Sequence, residues 1–313
     1  MSKSVSVESL ENLLSNVQLP ALPQSAISLL ELSQDPDNGP NEFAVPIEAD
    51  PGLTSQVLRF VNSSYFGFSR EISSIKLAIN LVGVRTIKNF ALWSAVFSLM
   101  PNPKCGVLDL KCLWQDSLRR GLFARELGKK LGAKDSEDFF AAALLQDMAI
   151  PILAKELGDT YEQLITTSNA DHARLSDLEQ EAFGWNHAEA AAEVGRSWSL
   201  PAEFIRLIEG HVHLEKWLET TPLDPGQIAV SFSSLLPIAH KDTWSEHKLF
   251  SGYYAELAPH DVRPLAELFE EVDRQFEEFA PLLKIESKTM PLTEYLTNAV
   301  EEEKNSPETD SKG

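Results

Sequence analysis

Helix signals recur along the whole chain, whereas the alternation of apolar and polar residues that marks a half-buried strand is never sustained. Asp50-Pro51 is a clear helix start, with an acidic N-cap residue followed by proline at the first helical position. The apolar residues that follow recur at helical spacing: Leu53, Val57, Leu58, Phe60 and Val61. The pattern predicts an all-α fold, in which we expect Leu58, Phe60, Val61, Ile79 and Leu81 to be buried.

Proline-containing breaks divide this helical pattern. Pro101-Asn102-Pro103 predicts a boundary between two helical lobes, about 17–103 and 109–219, with a long apolar helix over 84–100 before it. Residues 1–16 contain a short N-terminal helix. After Pro222 we predict a helical extension over 220–300, with helices at 228–239 and 265–283. Residues 301–313 are acidic and poor in apolar side chains, which predicts a disordered tail.

The charge of the chain restricts its partners. It carries 27 Lys and Arg against 47 Asp and Glu, a formal net charge of −20. Such a surface repels phosphate backbones and anionic lipids, so neither a nucleic acid nor a membrane is the expected partner. The basic residues nearest to a patch are Arg119-Arg120 with Arg125, Lys129 and Lys130, and we interpret them as a solvated helix face.

The expected location is the cytoplasm. No apolar stretch approaches the roughly 20 residues that span a bilayer. The N-terminal residues lack a signal-peptide core, and two cysteines form no disulfide framework.

Four stretches, in this order and spacing, resemble the HDOD family, which is related to the HD metal-dependent phosphohydrolases. They are Leu19-Pro20-Ala21-Leu22-Pro23, Ile47-Glu48-Ala49-Asp50-Pro51-Gly52-Leu53, Val57-Leu58-Arg59-Phe60-Val61-Asn62-Ser63-Ser64-Tyr65-Phe66-Gly67, and Ile72-Ser73-Ser74-Ile75 with Ala78, Ile79, Leu81 and Gly83. The resemblance covers about residues 17–215. It implies a two-lobed helical HDOD fold over 17–219 whose second lobe derives from a phosphohydrolase.

The resemblance also implies where the metal ligands of an HD phosphohydrolase would lie. In those enzymes a His, a His-Asp pair and a later Asp hold the metal. Here Asp116 stands in place of the first His, and Gln146-Asp147 in place of the pair. The final Asp matches Ser234. Neutral Gln146 and Ser234 are weak ligands, so we predict a vestigial pocket with no metal and no catalytic residue.

Two histidines, His187 and His211, occupy positions where related hydrolases often place theirs. Each also fits a purely structural role at a helix end, where the dipole interacts with the ring. Asp116 and Asp147 leave two alternatives open if the fold brings them together. They would hold a hard cation such as magnesium, or one of them would be protonated because like charges repel.

Three functions are compatible with these residues. The first is a non-catalytic signalling protein that acts through contacts with a partner protein. The second is a phosphohydrolase with an altered metal site acting on a phosphate ester or nucleotide, carried by Asp116, Asp147, His187 and His211. The third is a scaffold that works through the acidic C-terminal helices, where a Glu-rich face of residues 267–278 is otherwise a solvated surface. The sequence assigns neither a partner nor an oligomeric state.

Overall fold

The computed structural model describes residues 9–17, 19–103, 106–171, 173–239, 241–257 and 264–305, and these residues form helices and no strand. The all-α prediction is confirmed. The first lobe contains α1 (Leu10–Asn16), α2 (Gln24–Leu32), α3 (Pro40–Glu48), α4 (Pro51–Val61), α5 (Ile75–Val82) and α6 (Val84–Leu99), with a 3₁₀ turn at Ser64–Phe66. In the described part of the chain, no helix combines the length and apolar character needed to cross a bilayer.

The second lobe follows the break after α6. Its helices are α7 (Leu110–Lys130), α8 (Ser136–Leu145), α9 (Ile150–Leu157), α10 (Asp159–Asp171), α11 (Leu175–Phe183), α12 (His187–Ser197), α13 (Ala202–Gly210) and α14 (Leu214–Leu218). The extension adds α15 (Pro225–Ser233), α16 (His247–Glu256), α17 (Leu265–Phe279), a 3₁₀ segment at Ala280–Leu283, and α18 (Leu292–Asn305).

Helix α7 lies at the centre of the molecule and packs against α8, α15 and α17. Two glycines allow its close approach to α8. A Cβ atom at Gly121 would lie 2.9 Å from Cγ of Leu144, and one at Gly128 would lie 2.5 Å from a ring carbon of Phe139. Both separations are well inside van der Waals contact, so the two backbones can be this close only because glycine stands at these positions.

In the first lobe the burial predictions are mostly confirmed. Phe60, Val61 and Ile79 are buried, and Leu58 is partly buried against the core. The prediction for Leu81 is wrong, since 47% of it is exposed. Helix α5 buries the face formed by Ile75, Ala78 and Ile79, and Leu81 lies on the other side together with Leu77.

Helix α17 connects the two lobes. Its apolar face is buried, and Phe279 at its end contacts Phe60, with ring centroids 5.5 Å apart, and Tyr65, at 4.8 Å. The fully buried guanidinium of Arg125, from α7, lies over the rings of Tyr65 and Phe279 and donates to Oε1 of Gln275 at 2.8 Å. The predicted acidic helix is therefore part of the core on one face, while its glutamates point outward.

Only part of the basic set on α7 forms the solvated face that we predicted. Lys129 is exposed, whereas Arg119 and Arg125 are buried and Arg120 is nearly so. Arg119 donates to the carbonyl oxygen of Met290 and lies over the ring of Phe276. The extension covers the part of α7 where Arg119 and Arg125 lie, and these two guanidinium groups find their partners there.

Three local predictions also require correction. The predicted helix over 228–239 begins earlier, at Pro225 with Asp224 as its N-cap, and ends at Ser233. The sequence Ser176-Asp177-Leu178-Glu179 has the pattern of a capping box, which predicts a helix that opens at Ser176. It forms no such box, because α11 begins at Leu175 and the Glu179 side chain bonds His187 instead. The predicted tail is helical up to Asn305, and residues 306–313 lie outside the described residues, as do residues 1–8 of the N-terminal segment.

We expect Phe279→Ala to lower the free energy of unfolding by about 3–5 kcal/mol, since the ring is fully buried between the lobes. Chemical denaturation of the full chain measures this. Glu277→Ala, on the exposed face of the same helix, is the matched control and should change stability by no more than about 0.5 kcal/mol. Equal effects of the two substitutions would show that α17 does not connect the lobes as described.

Candidate functional site

A cavity of about 150 Å³ lies in the second lobe, bordered by α7, α10, α11 and the segment that follows α15. Five of the six residues predicted for the vestigial pocket line it: Asp116, Asp147, His187, His211 and Ser234. The sixth, Gln146, is fully buried and does not border the cavity. The sequence positions that the resemblance assigned thus come from separate helices into one site.

His187 is held at the start of α12 by two sets of contacts. Asn186 caps the helix by accepting from the backbone of Ala188 and Glu189, and the Glu189 side chain accepts from the backbone of Asn186 in return. Glu179 accepts from the backbone N–H of His187 at 2.8 Å and from its ring Nδ1 at 2.6 Å.

Glu179 is a site residue that the sequence did not reveal. It is fully buried, and the hydroxyl of Tyr161 donates to its other oxygen. Its bond to Nδ1 fixes the ring of His187 and leaves Nε2 free to point into the site. The only sequence signal for this role is a carboxylate, Glu179, eight positions before His187. The capping-box pattern gave the same glutamate a different role, at the start of a helix.

The two histidines interact directly. Nε2 of His187 lies 3.3 Å from Nε2 of His211, and Nδ1 of His211 donates to the carbonyl oxygen of Ile208 at 2.6 Å. The Nε2 atom of His211 is therefore the acceptor. Burial lowers the pKa of His211 to about 3, so its ring is neutral. Burial opposes the charge on His187, but Glu179 outweighs it and raises the pKa of His187. The contacts describe a His187 imidazolium donating to a neutral His211.

Asp147 follows the end of α8 and contacts both rings. Its Oδ1 lies 3.5 Å from Nε2 of His187 and 3.7 Å from Nε2 of His211. The guanidinium of Arg120, from α7, donates to its Oδ2. Burial alone raises the pKa of Asp147, but the charge of Arg120 and the two rings outweigh burial and hold it below its usual value.

Arg120 is the second site residue that the sequence analysis misplaced. It lies four residues after Asp116 on α7, which places the two side chains on the same helix face. That spacing was a usable signal. A charged pair at this spacing is also common on exposed helices, which is compatible with the solvated helix face that we predicted for Arg120.

Asp116 does not join the histidines. Its Oδ1 accepts from the backbone N–H of Ala239 at 2.8 Å. Burial raises the pKa of Asp116 to about 6, against the opposing effects of Arg120 and of this hydrogen bond. Of the two alternatives considered for Asp116 and Asp147, the electrostatics favour a protonated Asp116 at mildly acidic pH.

The two neutral replacements make structural hydrogen bonds. Oε1 of Gln146 accepts from the hydroxyl of Ser233 at 3.1 Å, while its Nε2 is buried without a partner among the described residues. The hydroxyl of Ser234 donates to the carbonyl oxygens of Ser231, at 2.8 Å, and His211, at 3.2 Å. Gln146 therefore serves the protein interior, whereas Ser234 bonds the backbone at the cavity wall.

One group of metal-ligand type exists among the described residues. Asp147, His187 and His211 each offer one ligand atom, and these atoms lie within 4.8 Å of one another. Three ligands are a set that a single divalent ion accepts. Arg120 bonds the other carboxylate oxygen, Oδ2 of Asp147, so Oδ1 remains as its ligand atom, and the positive guanidinium lies beside any ion bound there. The residues present do not reproduce the His, His-Asp and Asp ligand set of an HD phosphohydrolase, because Asp116 lies outside the group and Gln146 is neutral and turned away.

The helical fold and this site define an HD-related domain, and comparisons with known proteins specify it. The HDOD domain matches residues 19–214, and the chain belongs to the HDOD domain family. A protein of Treponema pallidum (strain Nichols) without a described function is 26% identical over 207 residues, which are 63% of this chain and 38% of that protein. The chain thus spans well under half the length of that relative.

Two solved structures share the fold. An HDOD domain protein of unknown function from Geobacter sulfurreducens superposes with a TM-score of 0.62 at 19% identity, over 94% of this chain and 92% of that one. A proposed phosphohydrolase from Shewanella amazonensis SB2B superposes with a TM-score of 0.59 at 21% identity, over 92% of this chain and 93% of that one.

A third structure is that of a proposed signal transduction protein from Marinobacter aquaeolei VT8. It gives a TM-score of 0.64 at 17% identity, over 90% of this chain and 63% of that one. At these identities the likenesses show the fold alone.

We expect Asp116→Asn to change the pH dependence of stability. Because the folded pKa lies above the unfolded one, near 3.8, the native state binds the extra proton between about pH 4 and 6. The free energy of unfolding of the native chain should therefore fall as the pH rises through this window. The amide side chain of the Asp116→Asn variant does not titrate. The free energy of unfolding of this variant, relative to that of the native chain, should therefore rise by up to about 3 kcal/mol between pH 4 and 7.

Urea denaturation at a series of pH values measures this difference. Asp116→Ala, which also loses the acceptor for the N–H of Ala239, is the control. Its free energy of unfolding should show the same pH dependence as that of Asp116→Asn but be lower at every pH. Parallel curves for the native chain and Asp116→Asn would contradict the assignment.

Proposed function

We propose that this protein is a non-catalytic signalling member of the HDOD family that acts through contacts with a partner protein. The observation that carries the proposal is the pairing of Asp147 with Arg120. In a metal-dependent hydrolase this carboxylate binds the ion, and here a guanidinium takes that position. The protonated ring of His187 adds a second positive charge beside the same carboxylate, 3.5 Å from its Oδ1.

Metal-assisted hydrolysis needs an ion with an open position, where a bound water becomes the nucleophile. The carboxylates of this cluster are already balanced, Asp147 by Arg120 and Glu179 by the protonated His187. A divalent cation at Oδ1 of Asp147 would have to displace the proton of His187 and bind beside the charge of Arg120. Charge balance without a metal supports a binding role, since a fold can persist after its chemistry is lost.

A phosphohydrolase with an altered site is the second candidate. The specific observation in its favour is the convergence of Asp147, His187 and His211 within 4.8 Å. The fold shared with a proposed phosphohydrolase is compatible with it. The alternative requires that an ion bind Oδ1 of Asp147 close to the positive charge of Arg120.

We expect the protein, purified without chelator, to contain substoichiometric transition metal and to hydrolyse neither phosphodiesters nor nucleotides with added manganese, iron or magnesium. Elemental analysis and an activity screen test both expectations. Arg120→Gln, which frees the carboxylate, should bind manganese more tightly than the native chain. About one metal per chain, with turnover that is lost in Asp147→Ala, would reverse the ranking and favour the hydrolase.

Exposed apolar side chains of the first lobe support the proposed partner contact. The large hydrophobic residues that are exposed in the described part of the chain are Val45, Phe68, Leu77, Leu81 and Leu249, and all but Leu249 belong to this lobe. Leu77 and Leu81 lie one turn apart on α5 and form a small apolar ridge. The outward acidic face of α17 keeps the scaffold alternative open, although its other face is committed to the core.

We expect Leu77→Ser/Leu81→Ser to keep the stability of the native chain within about 0.5 kcal/mol per site and to lose affinity for the partner. The partner is first recovered by pulldown, identified by mass spectrometry and purified, and its affinity is then measured by calorimetry. Lys76→Ser/Asn80→Ser, at exposed positions of the same helix, is the matched control. Unchanged affinity in the leucine variant would exclude α5 as the contact.

Deleting residues 220–313 is not a usable test of the extension. The deletion would remove α15 and α17, whose buried faces pack on α7.

A further inference from the structure

Two cationic side chains line the cavity without an anionic partner. Arg174, just before α11, and Lys241, after α15, both border it and are half-buried. Neither forms an ion pair with any carboxylate of the described residues. The one hydrogen bond of the Arg174 side chain in that part of the chain is a long one, 3.4 Å from Nη2 to the hydroxyl of Ser234.

The acidic groups of the same cavity are already engaged. Each accepts a hydrogen bond or forms an ion pair within the protein: Asp147 with Arg120, Asp116 with the N–H of Ala239, Asp109 with the N–H of Lys111, and Glu246 with the hydroxyl of Ser245. The carboxylates of Asp109 and Glu246 keep their negative charge, but their hydrogen bonds are directed to the protein. The two cations are therefore the charged donors of the cavity that remain available to an entering molecule. A buried donor, Nε of Arg120, also lacks a partner there.

The rest of the wall is largely apolar. It is formed by Val107, Leu108, Leu113, Ile150, Ile165, Leu175, Val212 and Ile238. A cavity of about 150 Å³ is large enough to hold one benzene ring. A small apolar body with an anionic end would satisfy both parts of the wall, because the body would contact the aliphatic side chains and the head group would pair with the cations.

We propose that this cavity is a receptor site for a small amphipathic anion, with an apolar body of about one six-membered ring and a carboxylate or phosphate head group bound by Arg174 and Lys241. The inference rests on the proposed non-catalytic function, since it supplies the input of a signalling protein. Such a ligand would join the start of α11, the helix that carries Glu179, to the segment after α15.

The test is calorimetric titration of the full chain with benzoate and with phenyl phosphate. Benzamide, a neutral molecule of nearly the same size as benzoate, is the ligand control. We expect saturable binding of at least one anion at one site per chain, and at least about tenfold weaker binding of benzamide. The preferred anion identifies the head group as carboxylate or phosphate.

Arg174→Gln and Lys241→Met should each weaken binding of the preferred anion about tenfold, because each removes one charge-assisted contact at the head group. Thermal unfolding checks that both variants remain folded. Arg196→Gln and Lys155→Met make the same chemical changes at surface positions outside the cavity, and they should bind like the native chain.

The proposal is overturned if neither anion binds saturably, if benzamide binds as well as benzoate, or if the surface variants lose as much affinity as the cavity variants. These outcomes are independent of the metal content and the hydrolytic activity of the native chain. A failed receptor site is therefore distinguishable from a failed non-catalytic function.

Discussion

The structure depends on the burial of one long helix on nearly all of its faces. Helix α7 packs against α8, α15 and α17, and the glycines at 121 and 128 allow the α8 backbone to come close. Buried charged groups on such a helix are costly unless they are paired. Arg125 meets Gln275 and aromatic rings, and Arg120 meets Asp147. These polar partners restrict how the surrounding helices can be arranged.

The same constraint places the candidate site and helix α17 on different sides of one helix. Asp116 and Arg120 face the cavity, whereas Arg119 and Arg125 face α17 and the segment before α18. A displacement of α17 would uncover guanidinium groups whose neighbours on α7 form the site.

The helices could be predicted from the sequence because caps and apolar stripes are local signals. Asp50-Pro51 begins α4 and Asn186 begins α12, as the residue types indicate. Burial was harder to predict where an apolar residue lies beside the buried stripe, as Leu81 does, and where a polar one lies in the core, as Arg125 does. The partners of Arg125 and Arg119 are about 150 to 170 residues away in the chain, so no local pattern reports them.

Five of the six positions that the resemblance assigned border one cavity, and the charges within it depend on residues that the resemblance did not include. Arg120 and Glu179 determine the charge of Asp147 and of His187, respectively. Together they balance the buried charges of the cluster within the protein. A buried carboxylate left alone would be strongly destabilising, so the loss of a metal ligand is tolerated only if another cation compensates. The guanidinium and the imidazolium meet that requirement, and they leave the adjoining cavity, with Arg174 and Lys241 on its wall, open to a different ligand.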